Sequence, residues 1–323
     1  MRPRPVRHAA AHNAAAHNAA VRYAVVEAPS GLGLRATGVE RMPDALLGNG
    51  LADRLGARRA GRVPAPAPTG EIHPGTRVLH GGEIAAWAPR LADAVTATLD
   101  EGDVPVVLGG DCSILLGTAL ALRRRGRYGL LFVDGHDDFY DPATDPSGEA
   151  ASMDLALVTG HGPALLTDLE GLRPLVRPGD VVTLGARDAA EQARSGCPPP
   201  DPAIVALALP TLRRLGAGAA ARVALEQLTR TGLDGFLVHV DADCLDDDVM
   251  PAVDYRQPGG LTPAELTTLL RRALATERVA ALQVTVYNPT LDPDGFAGRT
   301  LTDLLVDALT QPSPPTATPT TTR

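Results

Sequence analysis

Short apolar runs alternate with longer amphipathic segments along most of this 323-residue chain, and that alternation restricts the possible folds more than any other feature. The apolar runs, which predict strands, are 21–26, 104–108, 130–133, 181–184, 236–240 and 281–286. Strands that are apolar throughout are typical of parallel sheets, because helices cover both faces of such sheets. The pattern therefore predicts an α/β fold, with a single three-layer α/β/α domain built on a mainly parallel sheet.

Segments with helical spacing separate several of these runs. The predicted helices are 83–99, 113–125, 263–275 and 301–309. One of them has a clear start, because Thr262 is suited to the N-cap, Pro263 to the first helical position and Glu265 to the third. This order of residues indicates that the helix begins at position 263.

The limits of the predicted domain follow from composition. We find no linker inside residues 21–310 that is long enough to divide them, and the Pro-rich stretches 63–68 and 198–202 are expected to be surface loops. Residues 1–20 form an Ala- and His-rich leader that is expected to be disordered. Residues 311–323 form a Pro- and Thr-rich tail with almost nothing to bury, and disorder is expected there too.

The composition excludes several classes of protein. Hydrophobic residues make up 44% of the chain and charged residues 21%, which is ordinary globular usage. A net charge of -8 with 3% aromatic residues argues against a nucleic-acid or anionic-membrane partner. Three cysteines are too few for a disulfide framework, and no apolar run is long enough to span a membrane. We therefore expect a cytoplasmic protein that acts on a small molecule.

Charged residues follow three of the predicted strands at their carboxyl ends. The loops concerned are 109–113, 134–138 and 241–246. In an open parallel sheet, ligands bind beyond the carboxyl ends of the strands. These three loops are therefore expected to share one crevice.

The spacing of the charged residues adds detail to this crevice. Asp134, His136 and Asp138 alternate, so their side chains point the same way in an extended chain. Asp241 and Asp243 are spaced likewise. The sequence thus predicts four carboxylates and one imidazole close together.

Such a cluster of acids repels itself unless a cation neutralises it. Carboxylate oxygens with one imidazole suit Mn²⁺, and suit Zn²⁺, Fe²⁺ or Ni²⁺ less well. The carboxylates outnumber the needs of one divalent ion, so we expect two ions about 4 Å apart that share bridging carboxylates and generate hydroxide near neutral pH. The alternative is that these acids cap helices or lie on solvated turns.

The same loops carry sequence motifs. They read Gly109-Gly110-Asp111-Cys112-Ser113, Asp134-Gly135-His136-Asp137-Asp138 and Asp241-Ala242-Asp243-Cys244-Leu245-Asp246-Asp247. Their order and separation resemble the arginase/agmatinase (ureohydrolase) family, whose loops read Gly-Gly-Asp-His-Ser, Asp-Ala-His-x-Asp and Asp-x-Asp-x-x-Asp-Pro. The resemblance extends over roughly residues 21–310 and implies an arginase-like fold.

The resemblance also implies roles for these residues. The implied metal ligands are Cys112, Asp134, His136, Asp138, Asp241 and Asp243. They would hold two divalent ions, most often Mn²⁺ in the family, with Asp134 and Asp241 bridging them. A hydroxide between the ions would attack a guanidinium carbon, with Asp138 as its hydrogen-bond partner, to give urea and an amine. The family resemblance further implies a homo-oligomer, either a trimer or a hexamer.

Cys112 departs from the family pattern, which has a histidine ligand at this position. A thiolate is a softer donor than an imidazole, so the change would alter the preferred metal or weaken one of the two sites. The alternative is a small buried apolar residue with no metal bond. Cys244 faces away from the neighbouring aspartates, so core packing is expected there.

The substrate side resembles the family less closely. Counted without gaps from Asp138, residues 147–149 match the family's Ser-Gly-Asn, and Ala151 replaces a histidine that shuttles protons. Met153 and the pair Leu155-Ala156 then keep register with the family's Met-Pro-Leu-Ala. This register supports the count across the loop.

The expected substrate-binding residues are Tyr140, Ser147, Glu149 and Asp188. Val286 falls where the family has the glutamate that holds the guanidinium group. Its loss removes a charge-assisted pair worth about 2–4 kcal/mol to a cationic substrate. Glu149 would supply some of that charge from another wall, which makes it a catalytic candidate beside Asp138.

These departures favour a modified or less cationic guanidino (or related amidine) compound over free arginine. An N-hydroxylated guanidine would suit the site and release hydroxyurea in place of urea. Two alternatives remain open at this point. In the first alternative, the chain is a metal-poor pseudoenzyme that serves as a partner subunit in an arginase-fold oligomer. In the second, it hydrolyses another carbon–nitrogen bond, such as a formimino or acyl amide bond.

Overall fold

The computed structural model describes residues 21–35 and 38–310, and one sheet of eight strands lies at its centre. All neighbouring strands pair in parallel, in the order β2-β1-β3-β8-β7-β4-β5-β6. The strands are β1 (Tyr23–Ala28), β2 (Arg58–Arg62), β3 (Val104–Gly109), β4 (Tyr128–Val133), β5 (Val181–Leu184), β6 (Val205–Leu207), β7 (Gly235–Asp241) and β8 (Val279–Thr285). The predicted leader and tail lie outside the described residues.

Helices pack on both faces of this sheet, which confirms the predicted three-layer α/β/α fold. The helices are α1 (Met42–Gly48), α2 (Leu51–Leu55), α3 (Gly81–Asp100), α4 (Leu115–Arg125), α5 (Asp154–Val158), α6 (Ala164–Thr167), α7 (Ala189–Arg194), α8 (Leu209–Leu215), α9 (Ala217–Leu228), α10 (Pro263–Leu274) and α11 (Phe296–Leu309). Helices α3 to α6 cover one face, and α1, α2, α9, α10 and α11 cover the other. Among the described residues, no helix is long and apolar enough to cross a membrane.

The two apolar cores follow from strand geometry, in which successive side chains point to opposite faces. On β7, Phe236, Val238 and Val240 pack against one helical layer, whereas Leu237 packs against the other. The same strand is buried along its whole length. This arrangement explains why the central strands read as continuous apolar runs.

The strand bounds differ from the predictions where charge interrupts the apolar pattern. Strand β1 starts and ends two residues later than predicted, because Val21 is exposed and the charged Glu27 is buried within the strand. Glu27 is paired with Arg59 and Arg62 of β2. Sequence reasoning missed β2 and β6, the two outermost strands, because one is arginine-rich and the other is only three residues long.

The helix starts are set by local hydrogen bonds. The predicted start at 263 is confirmed, since Thr262 and Glu265 form a reciprocal capping box. The predicted helix 113–125 begins instead with a 3₁₀ turn, Cys112–Ile114, because the Asp111 carboxylate accepts the Ser113 N–H. Helix α11 begins at Phe296, earlier than the apolar pattern indicates, since the Asp292 carboxylate accepts the N–H groups of Ala297 and Gly298 in its first turn.

Candidate metal centre

The loops after β3, β4 and β7 meet at the carboxyl edge of the sheet, as the sequence predicts. The Cys112 Sγ lies 2.7 Å from Asp241 Oδ2 and 3.4 Å from Thr285 Oγ1. The close approach of the first loop requires a glycine, since a Cβ on Gly110 would lie 1.7 Å from the Ser30 carbonyl oxygen. Three segments that are far apart in sequence thereby supply one cluster of polar atoms.

His136 lies between two of the predicted acids. Its Nδ1 is 2.9 Å from Asp243 Oδ2 and 3.7 Å from Asp134 Oδ1. Burial lowers the pKa of His136, but the adjacent Asp243 and Asp134 outweigh burial and raise it well above the usual value. The imidazole therefore donates a hydrogen bond to the acids through Nδ1. A cation bound at this point would replace the proton on that nitrogen.

Asp138 occupies an unusual backbone position beside these groups. Its φ of 42° lies in the left-handed region, which a non-glycine residue adopts at some cost. Burial, followed by the charges of Asp134 and Asp154, raises the pKa of Asp138 well above its usual range. An uncompensated carboxylate in this place thus favours either a proton or a metal ion.

Asp154 is a residue of the cluster that sequence reasoning missed. It is the first residue of α5, it is fully buried, and neither of its carboxylate oxygens forms a hydrogen bond of standard geometry, although the Leu155 N–H and the Asp138 carboxyl lie close. Its ligand atom, the Cys112 sulfur and an Asp138 oxygen all lie within 4.8 Å of one another. The sequence did contain a signal that could have identified Asp154. Residues 153–156 align with the family's Met-Pro-Leu-Ala, and Asp154 replaces the proline.

His239 is also buried against the cluster, but it does not present a free nitrogen to a metal. Thr118 Oγ1 donates to Gln283 Oε1 (2.6 Å), so the Gln283 amide nitrogen donates to His239 Nδ1 (2.9 Å). With the amide assigned this way, the imidazole proton resides on Nε2, which faces Asp134 Oδ2 at 3.8 Å. His239 stacks on Phe132 with ring centroids 4.7 Å apart, which holds its orientation.

We call five buried aspartates at this edge the acid cluster: Asp134, Asp138, Asp154, Asp241 and Asp243. Among the described residues, no arginine forms an ion pair with any of them, and the chain has no lysine. Burying this much negative charge without a partner is costly. Hard carboxylate oxygens, one thiol and one imidazole are a donor set that fits divalent cations, so the residues present fit a metal centre.

A cavity of about 260 Å³ opens above the acid cluster. All four of the expected substrate-binding residues line it: Tyr140, Ser147, Glu149 and Asp188. Of the predicted metal ligands, it also exposes Cys112, His136, Asp138, Asp241 and Asp243, whereas Asp134 is absent from its lining. The structure therefore places every predicted site residue except Asp134 around a single space.

Glu149 and Ser147 are held by other residues of the cavity wall. The two oxygens of Glu149 accept hydrogen bonds from the Arg35 N–H (2.6 Å) and the Tyr255 hydroxyl. Burial and Glu149 raise the pKa of Tyr255, which keeps it a phenol. Ser147 donates to Asp145 (2.8 Å), so its hydroxyl oxygen, not its proton, remains for a ligand. Sequence reasoning missed Tyr255, which lies in a loop without a motif.

Two further lining residues of the cavity differ in character, Asp188 being polar and Val286 apolar. Asp188 accepts hydrogen bonds from the Asp137 N–H and from Gln192, and burial raises its pKa. Val286 is 5% exposed with φ of 73°, a left-handed conformation that costs a β-branched residue about 1–3 kcal/mol. Its N–H donates to the Gly110 carbonyl, which fixes it beside the first loop.

A parallel α/β/α sheet whose carboxyl edge carries a cavity above clustered carboxylates defines a metal-binding enzyme of the hydrolase type. A sequence model of the Arginase family matches residues 23–310. The chain belongs to the arginase family, and it is accordingly a metal-dependent, ureohydrolase-type hydrolase acting on carbon–nitrogen bonds of linear amidines.

Individual relatives agree with this assignment. The arginase of Bacillus subtilis is 28% identical over 292 residues, which cover 88% of this chain and 97% of that protein. The arginase of Staphylococcus aureus (strain COL) is 27% identical over 289 residues, or 87% of this chain and 94% of that protein. The native arginase structure from Bacillus caldovelox superimposes with a TM-score of 0.80 at 25% identity, covering 91% of this chain and 99% of that one.

Proposed function

We propose that this chain is a binuclear metal hydrolase that cleaves a guanidino compound carrying less positive charge than arginine, such as an N-hydroxyguanidine. The observation that carries the proposal is the wall formed by Val286. This residue lines the cavity next to the acid cluster, yet it offers no carboxylate to a guanidinium group. A cationic guanidine would lose its charged partner there, whereas an N-hydroxyguanidine is more readily neutral and has less need of one.

The donor atoms support two neighbouring ions. One group consists of Cys112, Asp134 and Asp241, together with His239, whose facing nitrogen is protonated. A second group consists of Asp134, His136 and Asp243. Asp134 belongs to both groups, so it is placed to bridge. Two divalent ions held there would lower the pKa of a water molecule to about 7 and thereby supply a nucleophile.

The residues of this chain then position and move protons. The Asp138 carboxylate faces the cavity, where it would accept a proton from the attacking water and return it to the departing nitrogen. The bond between the guanidine carbon and the alkyl nitrogen breaks, and one water is consumed. The products are an amine and urea, or hydroxyurea from an N-hydroxyguanidine. No imidazole lines the wall at Ala151 to share this role.

The polar wall would bind the remainder of the substrate. Glu149, fixed by Arg35 and Tyr255, presents a buried carboxylate that suits an ammonium group. Tyr140 and Asp188 line the same cavity and extend the polar surface. An α-amino acid with a guanidine at its far end would satisfy both ends of the cavity.

The test is a comparison of substrates with the Mn²⁺-loaded chain. We expect kcat/KM for hydroxyurea release from N-hydroxyarginine to exceed that for urea release from arginine at least tenfold. Asp138→Asn should abolish both reactions while leaving the thermal unfolding of the metal-free chain unchanged. Equal or faster turnover of arginine would contradict the proposed substrate class.

The metal-poor partner subunit is not favoured, because the buried donor atoms of a metal centre lie close together at one point. Hydrolysis of a formimino or acyl amide bond would use the same nucleophile. Release of ammonia or a carboxylate from such compounds, with none from guanidines, would move the assignment to that reaction.

A further inference from the structure

The Asp154 side chain is the one group of the acid cluster that the family pattern does not explain. It is fully buried at the first position of α5, and neither of its oxygens forms a hydrogen bond of standard geometry, the Leu155 N–H and the Asp138 carboxyl being its polar neighbours. Buried polar groups in proteins are rarely left without partners, since an unsatisfied group destabilises the fold and a charged one does so more. The side chain therefore faces a partner that protein atoms do not supply.

Its neighbours identify the kind of partner. A ligand atom of Asp154, the Cys112 sulfur and an Asp138 oxygen lie within 4.8 Å of one another, and all three residues are buried. Separations of this size are those between donors to one ion, because each metal–ligand bond is about 2.0–2.3 Å long. One thiol and two carboxylates can surround a divalent cation and satisfy all of the unpartnered oxygens.

Two departures from the family pattern meet at this point. Position 112 carries cysteine in place of the family's histidine, and position 154 carries aspartate in place of the proline of Met-Pro-Leu-Ala. The thiol is shorter than an imidazole and reaches less far from its loop. The carboxylate enters from α5, on the side from which the proline could offer no donor.

We propose that Asp154 is a ligand of the ion held by Cys112, and that it supplies the donor which completes this altered metal position. The inference rests on the proposed binuclear function and adds a seventh protein ligand to it. An aspartate without a metal bond would instead share a proton with Asp138 and act as a positioning residue, and the experiment separates the two.

The test measures metal binding without substrate. Wild-type chain, Asp154→Asn, Cys112→His and the double variant are stripped of metal and titrated with Mn²⁺, and the ions per chain and their dissociation constants are determined. We expect two ions per wild-type chain. Asp154→Asn should raise the dissociation constant of one ion at least tenfold and leave the other within threefold.

The double variant provides the matched control. In the Cys112→His background the imidazole restores the family's donor, so Asp154→Asn should then change the affinity less than threefold. A cobalt-loaded sample adds a second readout, because its sulfur-to-metal charge-transfer absorption should shift in Asp154→Asn and vanish in Cys112→His. The circular dichroism and unfolding of the metal-free variants report whether each has folded.

The outcomes distinguish the two proposals. If Asp154→Asn binds two ions with wild-type affinity in both backgrounds and leaves the cobalt spectrum unchanged, Asp154 is not a ligand and this inference is overturned. If the wild-type chain binds no ions or only one, the binuclear function itself fails, whatever Asp154 does.

Discussion

At the scale of single residues, one amide determines which nitrogen of His239 faces the acid cluster. With Thr118 donating to the Gln283 oxygen, the amide nitrogen is assigned as the donor to His239, which leaves the imidazole proton on the side of Asp134. At 3.8 Å the imidazole is a polar neighbour of Asp134 and not a hydrogen-bonded one. Outer groups of this kind orient the ligands of metal sites. His239 is therefore a positioning residue for Asp134.

Gln283→Glu tests this relay. A carboxylate accepts from His239 Nδ1–H, so the imidazole would turn its lone pair, not its proton, toward Asp134. We expect Mn²⁺ affinity to fall about 10–100-fold, the usual effect of losing such a partner. The measurement is metal titration of the stripped protein. Gln283→Met is the matched control, since it removes both hydrogen bonds, and its Mn²⁺ affinity should lie between those of the wild type and Gln283→Glu. An unchanged affinity in Gln283→Glu would contradict the assigned tautomer.

Val286→Glu tests the apolar wall. A carboxylate at this position would pair with a guanidinium group, and such a charge-assisted contact contributes about 2 kcal/mol, or about 30-fold in kcat/KM. We expect arginine hydrolysis to rise by about that factor relative to N-hydroxyarginine. Val286→Gln bears the same backbone strain without the charge and should leave the ratio unchanged. A ratio that shifts equally in both variants would show that size, not charge, matters.

The residues of the site differ in how well the sequence predicts them. Asp134, His136, Asp241 and Asp243 follow strands that apolar runs mark, so their convergence follows from the parallel sheet. Asp154 lies on a five-residue helix between loops, where no period or motif indicates its direction. Its burial and missing partners become visible only when the loops are folded.

At the scale of elements, the first turn of α11 depends on one carboxylate. Asp292 accepts hydrogen bonds from Gly298 N (2.8 Å), Ala297 N (3.2 Å) and the Tyr287 hydroxyl (2.8 Å). Burial acts to raise the pKa of Asp292, but these hydrogen bonds outweigh it and the net shift is downward. The carboxylate thereby ties the helix to the segment that leaves β8.

Asp292→Asn is expected to destabilise the chain by about 1 kcal/mol at neutral pH, as the loss of a helix-capping acceptor does. Because the folded-state pKa of Asp292 is lowered, its contribution is complete above the unfolded-state value of about 3.9 and is lost as the pH falls through the folded value. The difference in unfolding free energy between wild type and variant should therefore shrink below about pH 4. Urea unfolding at pH 7 and pH 3.5 measures it, and a constant difference would contradict the role of the charge.

Edge elements show where pattern reasoning fails. The central strands are predicted from the sequence because both of their faces are buried and apolar. Strand β2 lies at the edge of the sheet and pairs only with β1. Its arginines remain largely exposed and two of them hold Glu27, so the strand carries no apolar signal. The early start of α11 has the same origin, since polar contacts and not apolar spacing define it.

At the scale of the whole molecule, we expect the buried acids to make the stability of the fold depend on bound cations. A free metal concentration 100 times the dissociation constant raises the unfolding free energy by about 2.7 kcal/mol. Removal of the metal should lower it by the same amount. We expect chelation to lower the Tm by several degrees and added Mn²⁺ to restore it. Scanning calorimetry of stripped and reloaded protein, with Mg²⁺ as the control ion, measures the effect. An unchanged Tm on stripping and reloading would argue against a resident metal.

The homo-oligomer that the family resemblance implies stays a prediction. It concerns surfaces between chains, whereas the features argued from sequence lie inside one chain. Light scattering on the eluting protein would give a mass of three or six times 33.5 kDa for a trimer or hexamer. A mass of one chain would contradict the expectation.

Among the described residues, the last strand along the chain, β8, is also the one in the middle of the sheet. Strand β8 lies between β3 and β7. Until β8 is inserted, strands β1 to β3 do not pair with strands β4 to β7. A nascent chain that has not yet released residues 279–285 from the ribosome holds two half-sheets with open edges at β3 and β7. Unpaired edges invite wrong partners. The acid cluster follows β4 and β7 in one half, whereas Cys112 follows β3 in the other. The thiol and the acids are therefore brought together only after residues 279–285 have emerged and β8 has joined the two halves.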